Sequence, residues 1–395
     1  MAGNLKHIGL VLLSGVDAPG ITENLFSTLS PFQIEIVDFE QVVIRKRLLL
    51  TVLFKFDGAH EKAIEKDLLA RFDKSDIDIA IDFQQQDNEA EKNSNLHVVI
   101  LGKIITPNSI LKVAQVLKKY RSNIDRVRRT ATAPITALEF DISAVYTDAD
   151  ISLLQRDLAL VSSENQIDIA VQKGGLIRRA KKIVLLDMDS TLIQQEVIDL
   201  LAFKYGCGEK VASITESAMR GEIDFKESLK QRVSLLAGAD QSLFREVLTE
   251  ITLTPGAEKL IRTLHKLGHK VGVVSGGFLN VIEPILNNLK IDFFKANTLE
   301  IEDGKITGRL IGPIIDKEAK AEALREFAEL ENVDLSQTIA IGDGANDLGM
   351  IALAGLGIAF NAKPKVKAEA DTSINHPYLD SVLFLMGISS EEIVS

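Results

Sequence analysis

Ile183-Val184-Leu185-Leu186-Asp187-Met188-Asp189-Ser190-Thr191 is the stretch whose reading decides the fold. Its first four residues are aliphatic without polar alternation, which predicts a short strand buried on both faces, as in a parallel sheet covered by helices. Two acids follow at once, so both stand at the carboxyl end of that strand. Outward from it, Val271 to Val274, Thr338 to Ile341 and Gly357 to Phe360 have the same character. Helical stretches alternate with them: Ala257 to Leu267, stopped by Gly268, and Lys317 to Leu330. Ligands of open α/β sheets bind just beyond the carboxyl ends of the strands. The residues there are Asp187, Ser275 and Asp343, and three independent strands delivering a polar residue to one edge is a stronger signal than any single motif.

The strand followed by Asp187-x-Asp189-x-Thr191 resembles the signature of the haloacid dehalogenase superfamily, and Gly342-Asp343-Gly344-Ala345-Asn346-Asp347 resembles its acidic, glycine-rich motif. The resemblance implies a Rossmann-like parallel-sheet hydrolase core. It makes Asp187 a nucleophile that takes up a phosphoryl group, dividing hydrolysis into two displacements. Asp189 would protonate the leaving alkoxide and then take a proton from water. Clustered carboxylates repel an anionic substrate, so a hard cation with oxygen ligands is expected, and the resemblance implies Mg2+ held by the Asp187 carboxylate, the Asp189 backbone carbonyl and Asp343, with Asp347 ordering the shell. Ser275, Gly276 and Asn346 would cradle the phosphate. Asp316-Lys317-Glu318-Ala319-Lys320 is similar to the superfamily's lysine motif, with Lys320 favoured over Lys317 as the cationic partner.

Residues 195–254 intervene before the core resumes at Thr254-Pro255-Gly256, and they read as a small helical cap. Asp224 starts a helix with Glu227 at the third position, a capping box, and Gly238 lies just past its end. Seven residues at about 100° each bring Phe225 and Arg232 to nearly the same face. An aromatic wall and a guanidinium suit a small carboxylate. Glu196 could receive an ammonium group. Glu196, Met219, Phe225 and Arg232 match positions by which the phosphoserine phosphatases hold their substrate, and the resemblance to that family runs from about Ile183 to Phe360. It implies hydrolysis of O-phospho-L-serine to serine and phosphate, in serine biosynthesis.

The first 175 residues contain an internal repeat. Strand, helix, strand, strand, helix, strand occurs twice, within residues 1–84 and 95–175, which is the ferredoxin-like βαββαβ order. The copies resemble ACT domains, modules that often bind amino acids at domain interfaces. Asp17-Ala18-Pro19-Gly20 is similar to the loop found in many of them, which marks Asp17 and Gly20 as candidate contacts for a regulatory ligand. Ala18 stands where Arg is common, and the second copy has Thr106-Pro107-Asn108 with no following glycine. The copies either dimerise the chain alone or also sense an amino acid. Residues 84–95 read as a polar linker, the clusters at 126–129 and 178–182 as solvated or linker segments, and residues 180–395 as the hydrolase domain.

Composition sets the outer limits. The chain has 395 residues, room for two or three domains, and a net charge of −11 that disfavours nucleic acid and anionic membrane as partners. A single cysteine, Cys207, excludes an internal disulfide and fits a reducing compartment, so the cytoplasm is expected, while the resemblance to ACT domains implies a homodimer formed through them. No apolar run approaches the roughly 20 residues a membrane helix needs. Two other readings stand beside the phosphoserine one: a phosphatase or phosphotransferase for another small phosphate ester, and an amino-acid-sensing regulator with a vestigial catalytic domain.

Overall fold

In the computed structural model, Ile183–Leu186 is a fully buried strand at the middle of a seven-stranded sheet. The structure describes residues 7–85, 96–143, 147–175, 178 and 180–394, so most of the expected linker at 84–95 lies outside the described residues. Two compact units result, residues 1–91 and 92–395.

The first unit consists of β1 (His7–Val16), α1 (Ile21–Leu29), β2 (Ile34–Ile44), β3 (Arg47–Phe56), α2 (Glu61–Phe72) and β4 (Ile77–Gln85). Its antiparallel sheet runs β2-β3-β1-β4, the ferredoxin-like order. Alternate residues of β3, from Leu48 to Phe56, are buried against Leu25, Leu29, Ile64 and Leu68 of the two helices. The period-two pattern therefore places one face of the sheet in the core. Gly20 precedes α1 with φ +95°, and a side chain there would project into open space, so glycine serves the backbone conformation and not a tight contact.

The second unit opens with the other copy: β5 (Leu96–Gly102), α3 (Pro107–Lys119), β6 (Asn123–Ala131), β7 (Thr136–Ser143), α4 (Asp148–Asn165) and β8 (Asp168–Lys173), in sheet order β6-β7-β5-β8. Thr106 caps α3, its hydroxyl accepting from Ser109 N at 3.1 Å, with Pro107 in the first turn.

The strands of the large sheet are β9 (Ile183–Leu186), β10 (Lys270–Phe278), β11 (Phe293–Glu302), β12 (Lys305–Ile311), β13 (Thr338–Gly342), β14 (Gly357–Phe360) and β15 (Thr372–Ile374). Their order is β12-β11-β10-β9-β13-β14-β15, parallel except for β12. The cap holds α5 (Val197–Tyr205), α6 (Gly208–Met219), α7 (Phe225–Ser234) and α8 (Leu243–Leu248). The remaining helices are α9 (Ala257–Lys266), α10 (Leu279–Asn288), α11 (Lys317–Leu330), α12 (Leu348–Leu353), α13 (Pro364–Glu369) and α14 (Val382–Leu385). Among the described residues no helix is long and apolar enough to cross a membrane.

Two local expectations change. At α7 only half of the capping box forms: Asp224 accepts from Glu227 N at 2.9 Å, but the Glu227 carboxylate accepts from Gln231 instead of reaching back. The helix also ends at Ser234, and Gly238, with φ +88°, closes a run of turns beyond it.

The basic cluster at 178–182 is not a solvated linker throughout. Arg178 and Lys181 are buried. Arg178 donates to Glu139 of β7 at 2.6 Å, Arg128 takes the other oxygen of that carboxylate at 2.5 Å, and Lys181 donates to Ser336 O at 2.6 Å. Val99, Leu101, Ala131, Ile135, Ala137 and Ala170 share one apolar cluster with Val184 and Leu186. Asp168 further accepts from the backbone and side-chain amides of Asn375 at 2.8 and 2.6 Å. The second ferredoxin-like copy is thus packed into the body that carries the large sheet.

Burial alone would raise the Glu139 pKa, but the hydrogen bond and charge of Arg178, with Arg128 and His97, hold it below the ordinary carboxylate range. A depressed folded pKa contributes stability that is present above the unfolded value and fades as pH falls through the folded one. Arg178→Met should lower unfolding free energy at neutral pH by up to about 3 kcal/mol, because a buried carboxylate loses one of its partners. The deficit should shrink in acid. Urea melts at pH 7 and pH 4 check this, and an equal loss at both would contradict it.

Candidate active site

β10, β9 and β13 are adjacent and parallel, so their carboxyl ends lie side by side and bring Ser275, Asp187 and Asp343 to one edge. Asp187 N donates to Ile341 O at 2.9 Å, which continues the ladder one residue past β9 and fixes where the acid emerges. The chain then turns sharply. Ser190 has φ +55°, and the Asp189 carboxylate accepts from Val197 N at 3.0 Å.

Lys320, fully buried in the first turns of α11, places Nζ 2.6 Å from Asp187 Oδ1 and 2.6 Å from Asp347 Oδ1. The second Asp347 oxygen accepts from Asp343 N at 3.1 Å and Gly344 N at 2.9 Å. Asp347 therefore has both oxygens engaged by the protein. Asp343 accepts from the Thr191 hydroxyl at 3.1 Å. Lys317 is exposed on the same helix.

Carboxylate oxygens of Asp187, Asp343 and Asp347 lie within 4.8 Å of one another. Burial, reinforced by Asp347, raises the Asp187 pKa well above the usual range despite Lys320. Burial and then Glu196 push Asp189 up to about 7, and burial and then Asp347 push Asp343 up to about 7. For Lys320, burial favours the neutral amine, but Asp187 and Asp347 outweigh it and raise its pKa. Four crowded acids with one buried ammonium form an anion-rich set, and the donors are all oxygen, which suits a hard divalent cation.

A second cluster, His97, Glu139 and Asp141, also meets within 4.8 Å. Arg128 and Arg178 already occupy the two Glu139 oxygens, so that group is an ion-pair network.

Ser275 is buried, its hydroxyl accepting from Gly277 N at 2.8 Å and reaching Asp189 at 3.4 Å. A side chain at Gly276 would begin 3.2 Å from the Phe225 ring and 3.8 Å from the Asn346 amide, so Phe225, Gly276 and Asn346 meet at the mouth of the site. Glu196 accepts from the Ser190 hydroxyl at 2.7 Å. Arg232 is half-buried on α7; burial lowers its pKa while the charges of Asp199, Glu196 and Asp189 oppose that shift. Met219 ends α6, and its side chain lies outside what is described. Asp17 and Gly20 belong to the first unit, where with Thr22, Gln41 and Leu48 they line a cavity of about 280 Å³.

Asn297 was missed by sequence reasoning. It is buried on β11, donates to Gly276 O at 2.8 Å and accepts from Ile315 N at 2.9 Å. It ties the Ser275 loop to the segment leading into α11. The missed signal was a lone amide within a strand that was not itself foreseen.

Fold and site define a haloacid dehalogenase-like hydrolase: the description of that family matches residues 184–352, and ACT domain descriptions match 7–83 and 94–172. Phosphoserine phosphatase of Streptomyces coelicolor is 47% identical over 97% of this chain and 93% of its own. Phosphoserine phosphatase SerB2 of Mycobacterium tuberculosis is 44% identical over 97% of this chain and 94% of its own. A phospho-aspartyl intermediate analogue of phosphoserine phosphatase superposes with TM-score 0.50 at 43% identity, covering 52% of this chain and 98% of that one. The chain belongs to the phosphoserine phosphatase family.

Gly277 has no room for a side chain: a Cβ would stand 2.5 Å from the Asp189 carboxylate and 3.0 Å from the Ser275 hydroxyl. Gly277→Ala should cut phosphomonoester hydrolysis by about 100-fold, since a displacement on the order of 1 Å at reacting groups costs that much. The thermal midpoint should move only a few degrees. Full activity in the variant would show that the crowding is relieved without moving Asp189.

Proposed function

We propose that the chain hydrolyses O-phospho-L-serine to L-serine and phosphate in serine biosynthesis, through a phosphoryl group carried on Asp187. The observation that supports this most is the buried triangle of Asp187, Lys320 and Asp347 at the end of β9, which aims one carboxylate and gives it an ammonium counter-charge. Asp187 Oδ attacks phosphorus, and the bond from phosphorus to the serine oxygen breaks. Asp189, with a pKa raised to about 7, gives its proton to that leaving oxygen. It then takes a proton from the water that attacks the aspartyl phosphate, which releases phosphate and restores Asp187.

Lys320, Ser275, Gly276 and Asn346 hold the phosphoryl oxygens. On the cap side, Arg232 takes the substrate carboxylate, Glu196 the ammonium group, and Phe225 and Met219 the flanks. Magnesium is the cofactor, held by Asp187, Asp189 and Asp343; when bound it offsets the acids and polarises the phosphoryl oxygens. Asp347 keeps Lys320 and the loop amides in place and so orders that shell.

We keep the division into residues 1–84, 95–175 and 180–395 as the functional partition, with the cap at about 195–254, and cytoplasm as the compartment. Two copies pair through the ACT domains. The support is the edge strand β2, whose one sheet neighbour among the described residues is β3 and on which Ile36, Phe39, Val42, Val43 and Ile44 are exposed. The cavity at Asp17 and Gly20 takes free serine as a feedback ligand.

Four outcomes are expected. Asp187→Asn should reduce phosphate release by at least about 1,000-fold while calorimetry still detects phosphoserine binding; substantial residual turnover would count against a covalent route. Chelation should abolish turnover and added magnesium restore it, and phosphoserine should be preferred over esters lacking amine and carboxylate. A chelator-resistant rate or a preference for such an ester would reject the assignment. Asp17→Ala should leave kcat intact and remove noncompetitive inhibition by serine, and an unaltered inhibition pattern would defeat the regulatory reading.

A further inference from the structure

Apart from the chain crossings near Ile193 and Leu253, the two ends of α7 are held to the core with unlike strength. Beyond α7, Gly238 N donates to Ile306 O at 2.8 Å, Ile306 N to Ala239 O at 2.8 Å, and Gln241 N to Gly304 O at 2.9 Å. A side chain at Gly308 would meet Ala237 at 2.9 Å, so that end of the cap is pressed against the hairpin β11–β12 and bonded backbone to backbone. The start of α7 is held differently. There Lys226 Nζ lies 2.6 Å from Asp316 Oδ2, with the lysine largely exposed and the aspartate buried.

Asp316 serves two elements at once. Its other oxygen accepts from Ala319 N at 2.9 Å and caps α11, the helix that carries Lys320 to Asp187 and Asp347. Lys226 in turn follows Phe225, whose ring stands over Gly276. One carboxylate therefore links the first turn of a cap helix to the first turn of the helix that supplies the buried ammonium.

We propose that Lys226 and Asp316 form a positioning pair that latches the first turn of α7 over the site, with the backbone-bonded hairpin end as the pivot. The inference rests on the phosphatase reading above. Admitting substrate requires the Phe225 edge to lift, and the hairpin end would have to break several backbone hydrogen bonds to follow. At the Phe225 end the ring must leave its apolar packing, and the polar contact to part is one exposed ammonium on a fixed carboxylate. Such a pair is weaker than a buried one and is screened by salt, which suits a contact made and broken in each cycle. Because the cap grips the serine end of the substrate and the core performs the chemistry, weakening the latch acts on KM before kcat.

Lys226→Met and Asp316→Asn keep side-chain length, and the asparagine oxygen can still cap α11. Each should raise KM for phosphoserine about three- to tenfold with kcat changed less than about twofold, and the double variant should be no worse than either. Lys226→Arg should restore the wild-type KM, and added salt should narrow the gap between wild type and Lys226→Met. Amide hydrogen exchange at residues 225–229 should be faster in resting Lys226→Met than in wild type. Additive effects of the two substitutions, or unchanged KM and exchange, would overturn the latch. If wild type releases no phosphate from phosphoserine, the functional reading fails, and the exchange measurement still decides the latch.

Discussion

The buried ammonium of Lys320 is the constraint on which the catalytic end of the molecule depends. Parallel strands in the order β10-β9-β13 deliver acids to neighbouring positions, and burial there favours their neutral, unreactive forms. Lys320 opposes that tendency at Asp187, and Asp347, itself held by two backbone amides, keeps the lysine from turning away. Lys320 is one ammonium among four acids, paired with Asp187 and Asp347 while Asp343 accepts from the Thr191 hydroxyl, so the compensation is incomplete. An anion-rich pocket with one internal cation can accept a dianionic ester only with further positive charge. Substrate binding and metal binding are thus two consequences of the same incomplete compensation.

The same principle acts at a distance from the site, where Glu139 is bracketed by Arg178 and Arg128. A buried carboxylate with two guanidinium partners resists separation of the second ACT domain from the large sheet, because parting them would leave charge behind in an apolar surface. The apolar residues shared across that boundary act in the same direction. The second ACT domain is therefore part of the catalytic body, whereas the first forms a compact unit with its own core.

Much of this was legible from the residues. Wholly apolar tetrads such as Ile183–Leu186 admit few structures besides a strand covered on both faces, and acids immediately after them have only one edge of the sheet to occupy. The repeated strand and helix order gave both ACT domains for a similar reason, since alternation and helical periodicity are local properties. The hairpin β11–β12 was not legible: Phe293–Glu302 mixes polar and apolar residues because it flanks the cap as well as the sheet, so neither periodicity dominates. Asn297 was hidden with it. The buried state of Arg178 and Lys181 was also out of reach, because a basic run carries no mark of the distant carboxylate or carbonyl that pairs with it. Glu227 shows the converse, a residue with the right spacing for a capping box whose side chain finds Gln231 a better neighbour.

Core and cap divide the recognition problem by chemistry. The core ends of β9, β10 and β13 present acids, a hydroxyl and an ammonium, groups that distinguish a phosphoryl centre from water but say little about the alcohol attached to it. The cap presents Arg232 and Glu196, one cation and one anion, and Phe225, whose ring lies against Gly276 of the core. Complementary charges on one small surface favour a zwitterion over a simple anion, since a lone carboxylate would leave Glu196 uncompensated and a lone amine would leave Arg232 so. Glu196 also raises the pKa of Asp189, after burial itself, so under the proposed roles the group that would read the substrate's amine bears on the acid that would protonate its leaving oxygen.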